Sequence, residues 1–307
     1  MTKKPLILTI SFIFQVVLIH ANLYAQDSYP PEISGSTMVS YKTTDEAELN
    51  MWFFNPPNHS LDDKRPAIVF FFGGGWVGGS PLQFQRHAEY LAARGMVAVL
   101  ADYRVINRHQ VKATACVSDA KSAVRWIRQH AGDLGVDPDR IVASGGSAGG
   151  HLAASTAFLP DYDEPSEDMT VSSKPNALVL FNPVLILGDV KDQYPFSKDT
   201  RKRYQERVGD NLEKFSPYHH LTEDGPPTII FHGTGDTTVP YISADIFTEK
   251  MNVKGNRCLL VGYEGEEHGF FNFGRKNNGA YIDTVNRMDV FLVGLGYLEA
   301  PPAVLTN

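Results

Sequence analysis

The sequence predicts an α/β protein built on a mainly parallel central sheet with helices on both faces. Short continuous apolar runs recur at Pro66–Phe72, Met96–Ala101, Ala177–Phe181, Thr228–Phe231 and Arg257–Tyr263, as strands buried on both faces require. Segments of helical spacing lie between several of them, which implies right-handed crossovers. The segments richest in chemistry each follow directly after a strand, the end at which such sheets bind ligands.

In chain order, Ser36–Tyr41 and Glu48–Phe54 flank Thr44-Asp45-Glu46 and predict an antiparallel hairpin. The strand at 66–72 ends in glycines, and Phe84–Arg94 has helical spacing that Gly95 stops. After the strand at 96–101, Val111–His130 reads as a long amphipathic helix with Ala115, Ala123, Trp126 and Ile127 on its apolar face. Asp137-Pro138-Asp139-Arg140 reads as a turn feeding the next strand. A helix follows and ends by Pro160, and a last helix covers Tyr281–Leu292. The acidic stretch Asp161–Lys174 and the polar stretch Gly188–Gly225 break the alternation. The second is long for a loop in a compact domain, so it is expected to fold over the site as a small lid, the alternative being a solvated insertion without a role.

At 307 residues the chain fits one large α/β domain, and 43% hydrophobic with 21% charged residues is ordinary globular composition. A net charge of −7 argues against nucleic acid or an anionic membrane as the main partner. Lys3 and Lys4 precede an apolar stretch, Leu6–Ile19, and Leu23-Tyr24-Ala25 comes before Gln26. That is the layout of a signal peptide over residues 1–25, leaving a catalytic domain at 26–307 and an exported protein. An uncleaved anchor is the alternative, although the stretch is short for a membrane span. Cys116 and Cys258 are far apart, belong to no CxxC, and read as free structural thiols. No metal-ligand cluster and no cofactor motif is present.

The most informative segment is Gly145-Gly146-Ser147-Ala148-Gly149, between an apolar strand and the small-residue helix that opens Leu152-Ala153-Ala154. A strand turning abruptly into a helix lifts the serine hydroxyl clear of the sheet, and the flanking positions must be glycine because a Cβ there would collide. Such a serine needs a base and an acid to orient it, in the order Ser, Asp, His. Asp236 follows the run at 228–231 within His232-Gly233-Thr234-Gly235-Asp236, and His268 follows the run at 257–263. Rivals are weighed on position. His232 sits at a strand end and reads as structural, and His151 faces backbone or the lid. His219 and His220 lie in the insertion, where they touch substrate at most. Glu266 and Glu267 adjoin His268 too closely to grip it from behind. Phe72-Gly73-Gly74-Gly75-Trp76, again after a strand, offers bare amides, so Gly74 and Gly75 with Ala148 are the expected oxyanion donors.

Together these segments resemble the α/β-hydrolase superfamily over nearly all of residues 26–307. They resemble carboxylesterases of the hormone-sensitive-lipase-like group and bacterial feruloyl and acetylxylan esterases in particular. That group's oxyanion motif usually begins with histidine; Phe72 stands there instead. The resemblance implies a secreted serine esterase without a cofactor, acting on small acyl esters such as acetyl or feruloyl groups on carbohydrate. Trp76 and Phe270 are the expected substrate contacts, and Tyr103, Tyr194, Tyr204 and Phe271 are further aromatics for an acyl or sugar pocket or for the core. A serine peptidase of the same superfamily and a non-catalytic binding protein on the same fold are the competing classes. The sequence does not speak to oligomeric state.

Overall fold

The computed structural model describes residues 29–190, 196–209 and 211–300. The expected signal peptide at 1–25 and Tyr194 lie outside the described residues.

Eight strands form one sheet in the order β1-β2-β4-β3-β5-β6-β7-β8. The hairpin comprises β1 (Thr37–Thr43) and β2 (Glu48–Phe54), and β2 pairs antiparallel with β4 (Val97–Ala101). From β4 onward the sheet is parallel, through β3 (Arg65–Phe71), β5 (Val136–Gly146), β6 (Ala177–Phe181), β7 (Thr228–Gly233) and β8 (Cys258–Tyr263). The order doubles back at β3, so the strand carrying the elbow lies near the middle.

Alternation within each strand explains why the runs are apolar throughout. Ala67, Val69 and Phe71 feed one core, and Ile68 and Phe70 feed the other. On the first face lie α3 (Ala113–Gln129), α4 (Ala148–Phe158) and α6 (Tyr241–Val253); on the second lie α1 (Gln85–Ala93) and α7 (Gly279–Gly294). A one-turn α2 (Ile106–His109) precedes α3. With both sides covered, the pleat offers no solvated face on which polar residues would be favoured.

Two elements differ from expectation. Asp137–Arg140 is an irregular start to β5 rather than a separate turn, because Val136 pairs with Arg65 before the register shifts and Ile141 pairs with Ala67. Helix α6 has no counterpart in the sequence reading. Its buried Ala244, Phe247 and Met251 recur at spacings of three and four, a helical stripe that was there to be read.

The two stretches that break the alternation behave differently. Asp161–Lys174 is tied to α3 by charge: Asp163 pairs with Lys121 and Arg125, and Glu167 also pairs with Arg125. The 188–225 insertion forms its own helix, α5 (Lys198–Val208), capped by the Ser197 hydroxyl accepting from the Thr200 N–H. Only Tyr204 and Val208 of α5 are buried, so the helix is held by one narrow edge. Both cysteines are buried and unpaired. None of the described helices is long and apolar enough to cross a membrane.

Candidate active site

The elbow forms because three backbones meet there at distances no side chain tolerates. A Cβ on Gly149 would sit 2.0 Å from the Phe71 carbonyl oxygen, and one on Gly145 2.5 Å from the Gly149 carbonyl. Ser147 itself adopts φ 55°, ψ −118°, strained for a residue with a side chain. Its N–H donates to the Phe181 carbonyl at 2.9 Å, and its carbonyl accepts from His151 N–H at 3.0 Å. Strand β6 and helix α4 thus clamp the strained residue from both sides.

The loop after β8 brings His268 to the hydroxyl. The His268 Nε2 lies 2.9 Å from Ser147 Oγ, and its Nδ1 lies 2.6 Å from Asp236 Oδ2. Asp236, after β7, spends its other oxygen on the N–H groups of Thr238 and Val239, at 2.9 Å each. Burial by itself would raise the Asp236 carboxyl. The imidazoles of His232 and His268 and the Val239 amide outweigh it and hold the group well below the ordinary carboxylate range. A charged Asp236 fixes the tautomer with hydrogen on Nδ1, leaving Nε2 free to accept from the serine.

The rival groups have other partners, although His232 Nε2 also lies 3.4 Å from Asp236 Oδ2. His232 is fully buried, with Nε2 2.8 Å from the Val239 carbonyl oxygen. His151 Nε2 lies 2.8 Å from the Phe215 carbonyl oxygen, and burial pushes its pKa down to about 4. His219 and His220 bond to backbone carbonyls of Asp189 and Glu213 within the insertion. Glu266 pairs with Lys276.

A cleft of about 360 Å³ opens over Ser147 and His268. One rim is the glycine loop: the Gly74 and Gly75 amides bond to no described residue, and Gly75 turns at φ 64°. Ala148, first residue of α4, carries an orphan helix-start amide directly after the nucleophile. The Gly73 amide, by contrast, is occupied, donating to Gln83 Oε1 at 2.6 Å. The phenyl ring at position 72 does the bracing for which the resembling group uses histidine. It stacks on Tyr103 at 4.1 Å between centroids, and the Tyr103 hydroxyl donates to the Phe72 carbonyl at 2.6 Å.

Of the expected substrate contacts, Trp76 lines the cleft as part of its floor, packed edge-on against His151, Tyr204 and Phe215. Phe270 does not: its ring leans on Tyr263 in the second core, and the neighbouring Phe271 takes the cleft position. The cause is the turn after His268, where Gly269 at φ 76° reverses the chain and sends successive side chains to opposite sides. Tyr204 lines the cleft, whereas Tyr103 is core.

Several lining residues went unrecognised in the sequence. Gln83 accepts from Gly73 and donates to Asn272 Oδ1 at 3.0 Å, while Asn272 donates to the Gly269 carbonyl at 2.8 Å. That relay straps the glycine loop to the histidine loop. Asn182, at φ 35° after β6, accepts from the Gly269 N–H at 3.0 Å, and its Nδ2 is buried without an acceptor among the described residues. Arg203 and Arg207 of α5 complete the wall. Only Asn182-Pro183 at a strand end carried a local signal.

The chain is similar to known proteins along most of its length. The BD-FAE family model matches residues 53–251. A probable isoprenylcysteine alpha-carbonyl methylesterase of Arabidopsis thaliana is 29% identical over 225 residues, covering 69% of this chain and 47% of that protein. The chain spans about half the length of the curated relatives it matches. Among solved structures, esterase 2 of Thermogutta terrifontis phosphonylated by sarin is 54% identical, with TM-score 0.86, over 89% of this chain and all of that one. The butyrate-bound form of the same esterase is 54% identical, with TM-score 0.84, over 90% and 100%. The chain belongs to the BD-FAE family, among the α/β-hydrolases of the carboxylesterase type.

Proposed function

We propose that the protein is a serine esterase that cleaves small acyl esters through an acyl-enzyme. One observation carries the reading: a single imidazole bridges a strained serine hydroxyl at 2.9 Å and a buried carboxylate at 2.6 Å. His268 takes the Ser147 proton as Oγ attacks the ester carbonyl, and Asp236 stabilises the imidazolium. The amides of Gly74, Gly75 and Ala148 receive the oxyanion. The alcohol leaves with the proton from His268, and water then repeats the sequence on the acyl-enzyme, releasing the acid.

A short acyl group suits the modest cleft, and the Thermogutta esterase is known bound to butyrate. For the alcohol half we propose carbohydrate, with acetyl the leading acyl group and feruloyl the larger alternative. The leader-like residues 1–25 support export, which suits a polymeric substrate outside the cell.

A fluorophosphonate probe is expected to label Ser147, and Ser147→Ala to lose both label and turnover. Comparing acetyl, butyryl and feruloyl sugar esters with a peptide amide then ranks substrates; preference for the amide would replace this reading by a peptidase. Mass spectrometry of the exported chain is expected to find an N-terminus near Gln26.

A further inference from the structure

The ester-cleaving machinery leaves two cations of the cleft without a task. Arg203 and Arg207 lie four residues apart on α5, so their side chains leave the same face of the helix. Both line the cleft with Ser147 and His268. Neither is paired with a carboxylate among the described residues. Other part-buried arginines contrast with them: Arg94 grips Asp289, Arg104 grips Asp119, and Arg125 grips Asp163 and Glu167.

The donors of these two guanidinium groups are mostly unspent. Arg207 makes one long bond, from Nη1 to the Gly75 carbonyl at 3.3 Å, and Arg203 donates to Thr200 Oγ1 at 3.3 Å. Among the described residues no aspartate or glutamate lines the cleft, and Asp236 lies beneath His268 with both oxygens engaged. A chain of net charge −7 therefore concentrates positive charge above its nucleophile. Burial and the Arg203 charge together push the Arg207 guanidinium below its ordinary pKa. An anion between the two guanidinium groups offsets both effects and takes up their unspent donors.

We propose that Arg203 and Arg207 bind a carboxylate on the alcohol half of the substrate, so that the preferred ester is a short acyl group on an acidic sugar. The proposal rests on the esterase reading above. The charge falls on the alcohol half because a short acyl chain has no room to carry it. The arginines then orient the leaving alcohol and raise the local concentration of acidic substrates.

The test compares acetate release from an acetylated methyl glucuronoside and the matching acetylated methyl glucoside, which differ by carboxylate against hydroxymethyl. The wild-type protein is expected to favour the acidic ester about ten-fold or more in kcat/KM. Arg203→Met with Arg207→Met is expected to bring the ratio close to one. Arg203→Met alone, which touches no residue of the glycine loop, should lower it part of the way. Raising salt from about 20 mM to about 500 mM should erode the wild-type ratio without any substitution. A wild-type ratio at or below one overturns the proposal. So does an equal fall on both esters in the double variant, because the arginines then only brace the glycine loop. If neither ester is cleaved and fluorophosphonate leaves Ser147 unlabelled, the esterase reading itself fails and takes the proposal with it.

Discussion

The two walls of the cleft are made in different ways. The wall holding Ser147, Asp236 and His268 grows from the ends of β5, β7 and β8, strands of the one central sheet, of which β5 and β7 are buried on both faces at their carboxyl ends. The facing wall, with Arg203, Tyr204 and Arg207, hangs from one helix of the insertion, α5, which buries only Tyr204 and Val208. Reaction geometry therefore rests on the packed sheet, where a displaced backbone would open the core. In the proposed reading, substrate choice rests on α5, whose exposed face can change without touching the sheet.

The sharpest test of the first wall is the nucleophile. Ser147→Ala should cost on the order of 10⁴-fold or more in turnover, while the fold, held by Gly145 and Gly149 rather than by the hydroxyl, stays intact in circular dichroism. A variant that keeps most of its ester turnover would move the chemistry away from the strand ends.

The walls meet at Gly75. A Cβ there would lie 2.5 Å from Arg207 Nη1, at a residue already turned to φ 64°. Gly75→Ala is expected to lower kcat by roughly 10²-fold, the cost of displacing one oxyanion donor. Adding Arg207→Met separates the causes. Recovery of most of the rate would mean that the insertion presses on the loop; no recovery would place the whole loss in the backbone turn.

That contrast tracks how much could be read beforehand. Asp236 and His268 were legible because each follows an apolar run, and the run announces the strand end on which the residue stands. Gln83, Asn272, Arg203 and Arg207 were not: they are single polar residues without a motif, brought to the cleft by tertiary packing. Gln83 and Asn272 are 189 positions apart. Phe270 and Phe271 show the limit at its finest. The sequence brings an aromatic to the cleft, but the turn at Gly269 decides which of two adjacent rings arrives. The insertion was recognisable as an interruption of the alternation, while its helix α5, with so little apolar periodicity, was not.

The strand-end wall has one titratable weak point behind it. His87 is buried among Phe84, Phe181, Phe271 and Tyr281 with neither ring nitrogen bonded among the described residues, and burial lowers its pKa from 6.5 to about 3. The unfolded chain therefore takes up a proton below about pH 6.5 that the folded chain refuses until about pH 3. Stability is full above that window and is lost as pH falls through it. His87→Leu should remove this slope, making the variant relatively more stable at pH 4 than at pH 8 by on the order of 3 kcal/mol. Urea denaturation of both proteins at the two pH values measures it, and parallel pH dependences would show that the imidazole is solvated.

The smallest effect is expected at the strap between the two catalytic loops. Gln83→Leu keeps the side chain's bulk but leaves the Gly73 N–H and Asn272 Oδ1 without their partners, at a cost of about 1–3 kcal/mol for each group that stays dry. Water reaches this open cleft and recovers part of that. What is not recovered is the relative placement of the glycine loop and His268, so kcat is expected to fall about ten-fold while KM barely moves. Gln83→Glu keeps the acceptor for Gly73 and loses the donor to Asn272, so it should fall between wild type and Gln83→Leu. If Gln83→Leu raised KM at constant kcat instead, the strap would be shaping the binding surface, and the division of labour between the two walls would not hold at this residue.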